Sequence, residues 1–564
     1  MCSSDLNIIA KALKKAPEER YSNASAFSDD LRRFLSHEPV TAGPDTVRYR
    51  VSKFVRRHRG AVATTAVTGM ALILAIIITT TQWFEARHQR DVAQTQLQRA
   101  AAFGDLVSIV LNESGHPGEA LTTAQLLERG EKLVRSEFAS SDGLRSQLLF
   151  TLARLYAHVG ATDKQRVLYR ESHDLATRSG DVGLIALSGC AAAAADAVSG
   201  LDKDAAQQID QLLARLPRDA ENDEARAGCL NFASTVADFA SDGTAALADA
   251  EQADRLLADS QSGTVWERVD TMIFLADARK AAGLLGAADQ TYARVAAEFK
   301  RIGVEDTGFA ATLYNNWGIL LVNLGLPLRG AQLFERERAI DQGYSLTDAF
   351  SATAYASALV PLGRAADARE ILQAALDRAV ALGSHHSAAM VQMGLARVNS
   401  ELGDLELSDR LLARLEPVLK DMLPAGHEAF GALHQIKSQN FEKRGDHVAA
   451  LREATLALDI FSAHPGLAYR AAAVHESMAD IHLAMRNLPQ ARAEVQQARN
   501  TFEAAFGPGA RSYYLGRTWL TEAKIDDANG ERQNARSAAE VAYQHFAASV
   551  SETHPLTEEA KALR

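Results

Sequence analysis

Cysteine, proline and aromatic residues are scarce in this 564-residue chain, which has three Cys, 13 Pro and 6% aromatic residues. Three cysteines, Cys2, Cys190 and Cys229, cannot build a disulfide framework or a zinc cluster. Cys190 and Cys229 sit in Ala-rich stretches that read as helix, where a buried cysteine behaves as a small apolar side chain. A single bridge between them stays open in an oxidising compartment. Few prolines and aromatics beside much Ala, Leu, Arg, Glu and Gln favour helices over strands, so the expected fold class is all-α. The length exceeds what one ordinary core fills, which implies several domains or a repeat array.

Charge is also uneven. Residues 1–60 hold twelve Lys/Arg against seven Asp/Glu, an excess of five, so the rest must carry −16 to give the formal net charge of −11. That acidic remainder lacks a basic stripe with interleaved aromatics, which argues against nucleic acid as a partner. Catalytic signatures are missing too: there is no Gly-x-Ser-x-Gly elbow, phosphate loop or dinucleotide fingerprint. His427-Glu428 lacks a second His four residues on, and His385-His386 has no carboxylate cluster nearby. In DDANGE at 526–531, alignment on Gly530 puts Ile525 and Arg536 at the first and last ligand positions, which excludes an EF-hand. No catalytic residue, metal site or cofactor is expected.

What is present begins with residues 60–84, which contain no charge and read ALILAIII in the middle, long enough to span about 30 Å of hydrocarbon. Six threonines there, among them Thr64, Thr65 and Thr79, are tolerable because a hydroxyl can bond back to its own helix. Trp83 and Phe84 suit an interface. Arg56, Arg57 and Arg59 head a basic N-terminal flank, while the other flank mixes Glu85, Arg87, Arg90 and Asp91. The positive-inside rule then expects a single-pass inner-membrane protein with a cytoplasmic N-terminus and everything after residue 85 extracytoplasmic.

The segments KALKKAPEERY, FSDDLRRFL, EPV and YRVSKFVRRHR, in that order, resemble the end of the C-lobe and the juxtamembrane segment of bacterial transmembrane serine/threonine protein kinases. The resemblance implies that residues 1–38 are the last helices of a kinase C-lobe and 39–59 a basic juxtamembrane segment. It also implies that Arg20 corresponds to the arginine that pairs with the glutamate of an Ala-Pro-Glu motif. That partner is absent, as are the Gly-rich loop, Val-Ala-Ile-Lys strand, His-Arg-Asp loop and Asp-Phe-Gly motif. His173-Asp174-Leu175 echoes the catalytic loop but lacks its downstream Asn. This chain is therefore not expected to transfer phosphate itself. Its parent is expected to carry a kinase domain upstream of Met1, the opening MCSSDL reading like a sequencing-adapter frame.

Residues 85–144 read as a helical linker and lead-in. From 145 to 545 a Gly recurs with a small residue five positions later: Gly283/Ala288, Gly325/Gly330, Gly363/Ala368, Gly403/Ser408, Gly445/Ala450 and Gly530/Ala535. Arg486/Ala491 keeps the spacing without the Gly, and 181–260 reads as two weaker hairpins. The Gly ends one helix in a left-handed cap, and the small residue lets the next helix approach. Tyr292, Phe334, Leu372, Leu412 and Val495, four residues further on, fill the space between. The pattern resembles tetratricopeptide repeats, with 546–564 as a tail, and predicts an α-solenoid whose concave face binds a protein or peptide. Inner-face candidates are Asn315, Asn316, Asn323, Gln392, Gln435 and Gln439.

The expected function is the membrane-anchored interaction or sensor region of a serine/threonine kinase, with the lipid bilayer and a possible homodimer among its partners. The alternative is a freestanding membrane-tethered scaffold.

Overall fold

The computed structural model describes residues 3–43, 46–113, 123–138, 141–158, 161–200, 203–259, 264–341, 349–381, 384–424 and 426–564, and Cys2 lies outside them. Among the described residues all regular structure is helical. The chain forms two compact units, residues 1–104 and 105–564.

In the first unit α1 (Ser3–Ala12) and α2 (Ala24–Leu35) flank a single turn at Pro17–Glu19, and α3 (Val47–Arg57) and α4 (Arg59–Glu113) follow. Asn23 caps α2 by accepting from the Ala26 amide at 2.8 Å, which satisfies an orphan donor of the first turn. Asp30, buried on α2, organises the unit. Its carboxylate accepts from the Thr41 amide and hydroxyl, each at 2.7 Å, from the Ala42 amide at 3.0 Å and from the Tyr21 hydroxyl at 2.8 Å. Burial works against its charge, but these donors, Thr41 foremost, outweigh it and hold the pKa below the usual carboxylate range. Apolar faces of α1 and α2 stay uncovered, with Leu6, Ile9, Leu13, Leu31 and Leu35 all exposed.

Helix α4 runs unbroken for 55 residues. Within its Arg59–Arg87 stretch an 18-residue window has a mean hydropathy of 2.4, and the stretch is long and apolar enough to cross a membrane. Val67, Met70, Ile73 and Ile76 project outward. The Thr64, Thr65, Thr79, Thr80 and Thr81 hydroxyls all donate to carbonyls three or four residues back, so the helix presents no free hydroxyl donor at these positions.

The second unit opens with α5 (Thr123–Glu137) and continues as ten consecutive helical hairpins. These are α6 (Asp142–His158) with α7 (Thr162–Ser179), α8 (Val182–Val198) with α9 (Ala205–Arg215), and α10 (Asp223–Phe239) with α11 (Gly243–Asp259). Next come α12 (Val265–Ala281) with α13 (Leu285–Ile302), α14 (Gly308–Asn323) with α15 (Pro327–Asp341), and α16 (Ala349–Leu359) with α17 (Ala365–Ala381). The series ends with α18 (His385–Glu401) and α19 (Leu405–Met422), α20 (Glu428–Lys443) and α21 (His447–Ser462), α22 (Ala468–Ala484) and α23 (Leu488–Phe506), and α24 (Tyr513–Ala528) and α25 (Arg532–Ser549). α26 (Pro555–Leu563) packs on α25.

The turns share one geometry. Gly283, Gly325, Gly363, Gly403, Gly445 and Gly530 take φ of 69° to 82°, the left-handed conformation that reverses the chain most cheaply in glycine. Arg486 at 60° and Ser241 at 63° adopt it without being glycine. Ala288, Ala368, Ser408, Ala450, Ala491 and Ala535 are buried where the second helix crosses the first, and Tyr292, Phe334, Leu372, Leu412 and Val495 are buried one turn on. In three hairpins a ring occupies the space a missing Cβ leaves. A Cβ on Gly318 would lie 2.8 Å from the Phe334 ring, one on Gly431 2.7 Å from Phe461, and one on Gly516 2.7 Å from Phe546.

Packing is not confined to neighbouring hairpins. One hydrophobic cluster joins Val269, Tyr292, Phe299 and Leu324 of α12 to α14 and their turns with Tyr469, Phe502, Phe506 and Leu515 of α22 to α24. At its edge the Tyr513 amide donates to the Gly325 carbonyl at 2.7 Å, and a Cβ on Gly286 would meet the Phe506 carbonyl at 2.7 Å. Arg154 of α6 reaches Asp270 of α12, 116 residues on, at 2.9 Å. The array thus coils back on itself.

Cys190 of α8 and Cys229 of α10, read from sequence first as buried thiols, are joined in a buried disulfide with a Cα–Cα distance of 5.3 Å. Closing a loop over a separation of 39 residues stabilises by about 4 kcal/mol in the chain-entropy picture.

Two of the turn glycines separate backbone conformation from packing. A Cβ on Gly363 meets nothing within 4 Å, so Gly363→Ala should cost only the left-handed strain, about 1 kcal/mol. A Cβ on Gly325 would also lie 2.3 Å from the Ser512 hydroxyl and 3.1 Å from the Tyr513 amide nitrogen, so Gly325→Ala should cost clearly more. Urea titration of both variants checks the order, and equal midpoints would mean that the return contact contributes nothing.

Candidate ligand groove

First helices of successive hairpins line a half-open groove of 1860 Å³ in the second unit. Its walls come chiefly from the first helices α6, α8, α10, α12, α16, α18 and α20. The lining is apolar and soft over much of its area: Phe150, Phe232, Phe274, Phe350, Met390 and Met393. Aromatic rings and flexible thioethers suit apolar side chains of varied shape.

Charged side chains stand in two groups on the wall. On α10 and α12, Glu224, Glu267 and Asp270 gather around Arg154, and burial first, then Glu267, pushes the Asp270 carboxyl up. Toward α18 and α22 stand Arg397 and Arg470. Arg470 lies 3.2 Å from Glu428, donates to the Tyr469 hydroxyl at 3.3 Å and stacks over the Phe461 ring. Burial and then Arg470 lower the pKa of Arg397. Elsewhere on α12, Lys280 lies 3.0 Å from Asp277; burial opposes its charge, but Asp277 and Asp238 outweigh it and hold its pKa up. The Tyr292 hydroxyl donates to the same Asp277.

A second ionic group runs along first helices α20, α22 and α24. Arg517 lies 2.8 Å from both Glu476 and Asp480, and the Thr521 hydroxyl donates to Asp480 at 2.7 Å. Glu442 stands near this group, and burial first, then Asp480, pushes its carboxyl up to about 7.

The six polar residues singled out from sequence, Asn315, Asn316, Asn323, Gln392, Gln435 and Gln439, are not among those lining this cavity. Asn316 instead donates to Asp277 at 3.3 Å, and Asn315 donates to Asn316 at 3.4 Å. The groove residues sequence reasoning missed are the Phe and Met walls and the Arg397/Arg470 pair. The i, i+3, i+7 spacing of Met390, Met393 and Arg397 was their only sequence signal. Gly325, Gly363, Ala368, Gly403, Gly445, Ala450, Gly530 and Ala535 lie at turns and helix crossings. In the first unit, Arg20 donates from Nε to the Lys14 carbonyl at 2.5 Å and from Nη2 to that of Lys15 at 3.3 Å. Arg57 pairs with Glu38 at 2.9 Å, Arg56 and Arg59 are exposed, and Trp83 stands edge-on to Phe84 with Arg87 over its ring.

No protein-family model matches the chain. No curated protein matches it. Among solved structures, the Cut9–Hcn1 hetero-tetramer of the APC/C aligns with a TM-score of 0.42 at 10% identity, over 78% of this chain and 80% of that one. A Rap protein in complex with competence and sporulation factor aligns at 0.36 and 11% identity, over 68% and 95%. A signal-transduction ATPase with a tetratricopeptide repeat sensor from Pyrococcus horikoshii aligns at 0.36 and 14% identity, over 71% and 62%. The chain itself has a tetratricopeptide-like helical-repeat fold, seen in its Gly-turned hairpins and concave groove, and function is read from that groove.

Glu442 gives the ionic group a measurable signature. Its folded pKa, about 7, stands above the ordinary value of 4.5, so its contribution to stability is fully present below 4.5 and is lost as pH rises through 7. Glu442→Gln should match the wild type near pH 4 and be the more stable of the two at pH 8. Thermal melts across that range test it; parallel pH profiles for the two proteins would contradict it.

Proposed function

We propose that this chain is the membrane-anchored ligand-binding arm of a receptor-type serine/threonine kinase, with the helical array recognising a peptide or protein segment outside the cytoplasm. The observation that carries the binding role is the concave groove, with Phe and Met walls and a few charged side chains, since ligand sites are concave, mostly apolar and furnished with a few fixed polar groups. Anchoring rests on the Arg59–Arg87 stretch and its exposed apolar side chains, with Trp83 at one end and the Arg56, Arg57 and Arg59 cluster at the other. That charge bias favours a cytoplasmic N-terminus. The buried Cys190–Cys229 disulfide adds an independent argument for an oxidising compartment around the array.

The kinase association rests on the ordered motifs of residues 11–59 and on the uncovered Leu6, Ile9, Leu13, Leu31 and Leu35, whose faces suit burial against a larger lobe. Ligand in the groove would then act through the spanning helix, for instance by changing the association of two copies. This chain carries no phosphoryl-transfer role in that scheme.

Reporter fusions in a bacterial host test the arrangement. Alkaline phosphatase joined after residue 564 should be active and the same enzyme joined after residue 40 inactive, since it needs the oxidising side to fold. The opposite pattern, or activity at neither position, would overturn the extracytoplasmic reading.

A further inference from the structure

Arg397 is anomalous within the groove. Helix α18 carries it into the wall of the groove, where it is half-buried, yet it makes no hydrogen bond or ion pair among the described residues. Its electrostatic surroundings are a second cation, Arg470, the phenols of Tyr469 and Tyr514, and Glu401 one turn along its own helix. Arg470 is already engaged with Glu428 and Tyr469. Glu428 is thus taken by Arg470, and Glu401 by Lys443 at 3.0 Å, which leaves the Arg397 guanidinium with no carboxylate in contact. A half-buried guanidinium with no partner has its donors free for an anion arriving with a ligand, and such a pair is stronger in a groove than on an open surface.

We infer that Arg397, with Arg470 beside it, anchors a carboxylate of the bound peptide, whose neighbouring apolar side chains lie on Met390 and Met393. This rests on the groove being the ligand site. Met390, Met393 and Arg397 form one stripe of α18, so a segment lying along that helix meets two thioethers and then the cation. A planar guanidinium matches a carboxylate through two parallel hydrogen bonds. One unmatched positive charge calls for a monoanion, which favours a carboxylate over a phosphoryl group.

The test uses the full chain in lipid nanodiscs and a synthetic pool of decapeptides with free C-termini, affinity-selected and read by mass spectrometry. Retained peptides should carry a carboxylate beside apolar residues. Arg397→Gln should leave the melting temperature unchanged or raise it, while weakening those peptides at least tenfold; Arg397→Lys should weaken them less. Amidating the peptide C-terminus, or changing its Asp and Glu to the amides, distinguishes the two sources of the carboxylate. Whichever change matters should cost the same factor in wild type and less than twofold in Arg397→Gln. Peptides that bind wild type and Arg397→Gln alike would overturn this inference and leave the groove reading standing. So would a variant that melts well below wild type, which would make Arg397 a structural residue. No retained peptide would overturn both.

Discussion

The return of α22 to α24 onto α12 to α14 is the contact on which the rest of the array depends. A simple solenoid touches only its neighbours, and its interior stays open and compliant. Here Phe502, Phe506 and Leu515 share a core with Tyr292, Phe299 and Leu324. This closure makes a cavity out of what would be a broad concave face, and it brings Arg470 of α22 to the same space as Phe150 of α6. It also places demands on single positions: Gly286 and Gly325 must lack a Cβ because backbone or a hydroxyl from the returning helices occupies that space.

Closure has a chemical consequence as well. Side chains on the inner row are reached by solvent yet surrounded by protein, so their charges interact more strongly than on an open surface. The Arg517, Glu476 and Asp480 group is tied by direct contacts between α22 and α24, and the Lys280, Asp277 and Tyr292 group by contacts within the α12–α13 hairpin. Arg397 is the exception among these cations, and an exception of that kind in a groove is where recognition is to be sought.

The helical class and the hairpin rhythm were legible in the sequence because both are local. A Gly that must take positive φ and a small residue five positions on recur in most of the described hairpins, and they can be read without knowing what lies elsewhere. Arg486 and Ser241 show the limit of that reading, since each holds the same turn geometry without the glycine that advertises it. Non-local facts were not legible. Periodicity shows that a helix has an apolar stripe but not whether that stripe meets the next hairpin, a returning one or the groove. Asn315 and Asn316 therefore read as groove residues although they bond to each other and to Asp277, while Arg397 looked like one arginine among many. The Cys190–Cys229 bond was open for the same reason, since only the packing of α8 on α10 brings the two sulfurs together.

The most direct measurement of closure is hydrogen exchange on the full chain, comparing wild type with Phe502→Ala. Removing this buried ring should cost about 3 to 5 kcal/mol locally. If α22 to α24 and α12 to α14 form one core, amide protection should fall in both segments together, including at Tyr513, whose amide donates to the Gly325 carbonyl. Loss confined to α22 through α24, with α12 to α14 exchanging as in wild type, would contradict the closed coil and, with it, the preformed groove.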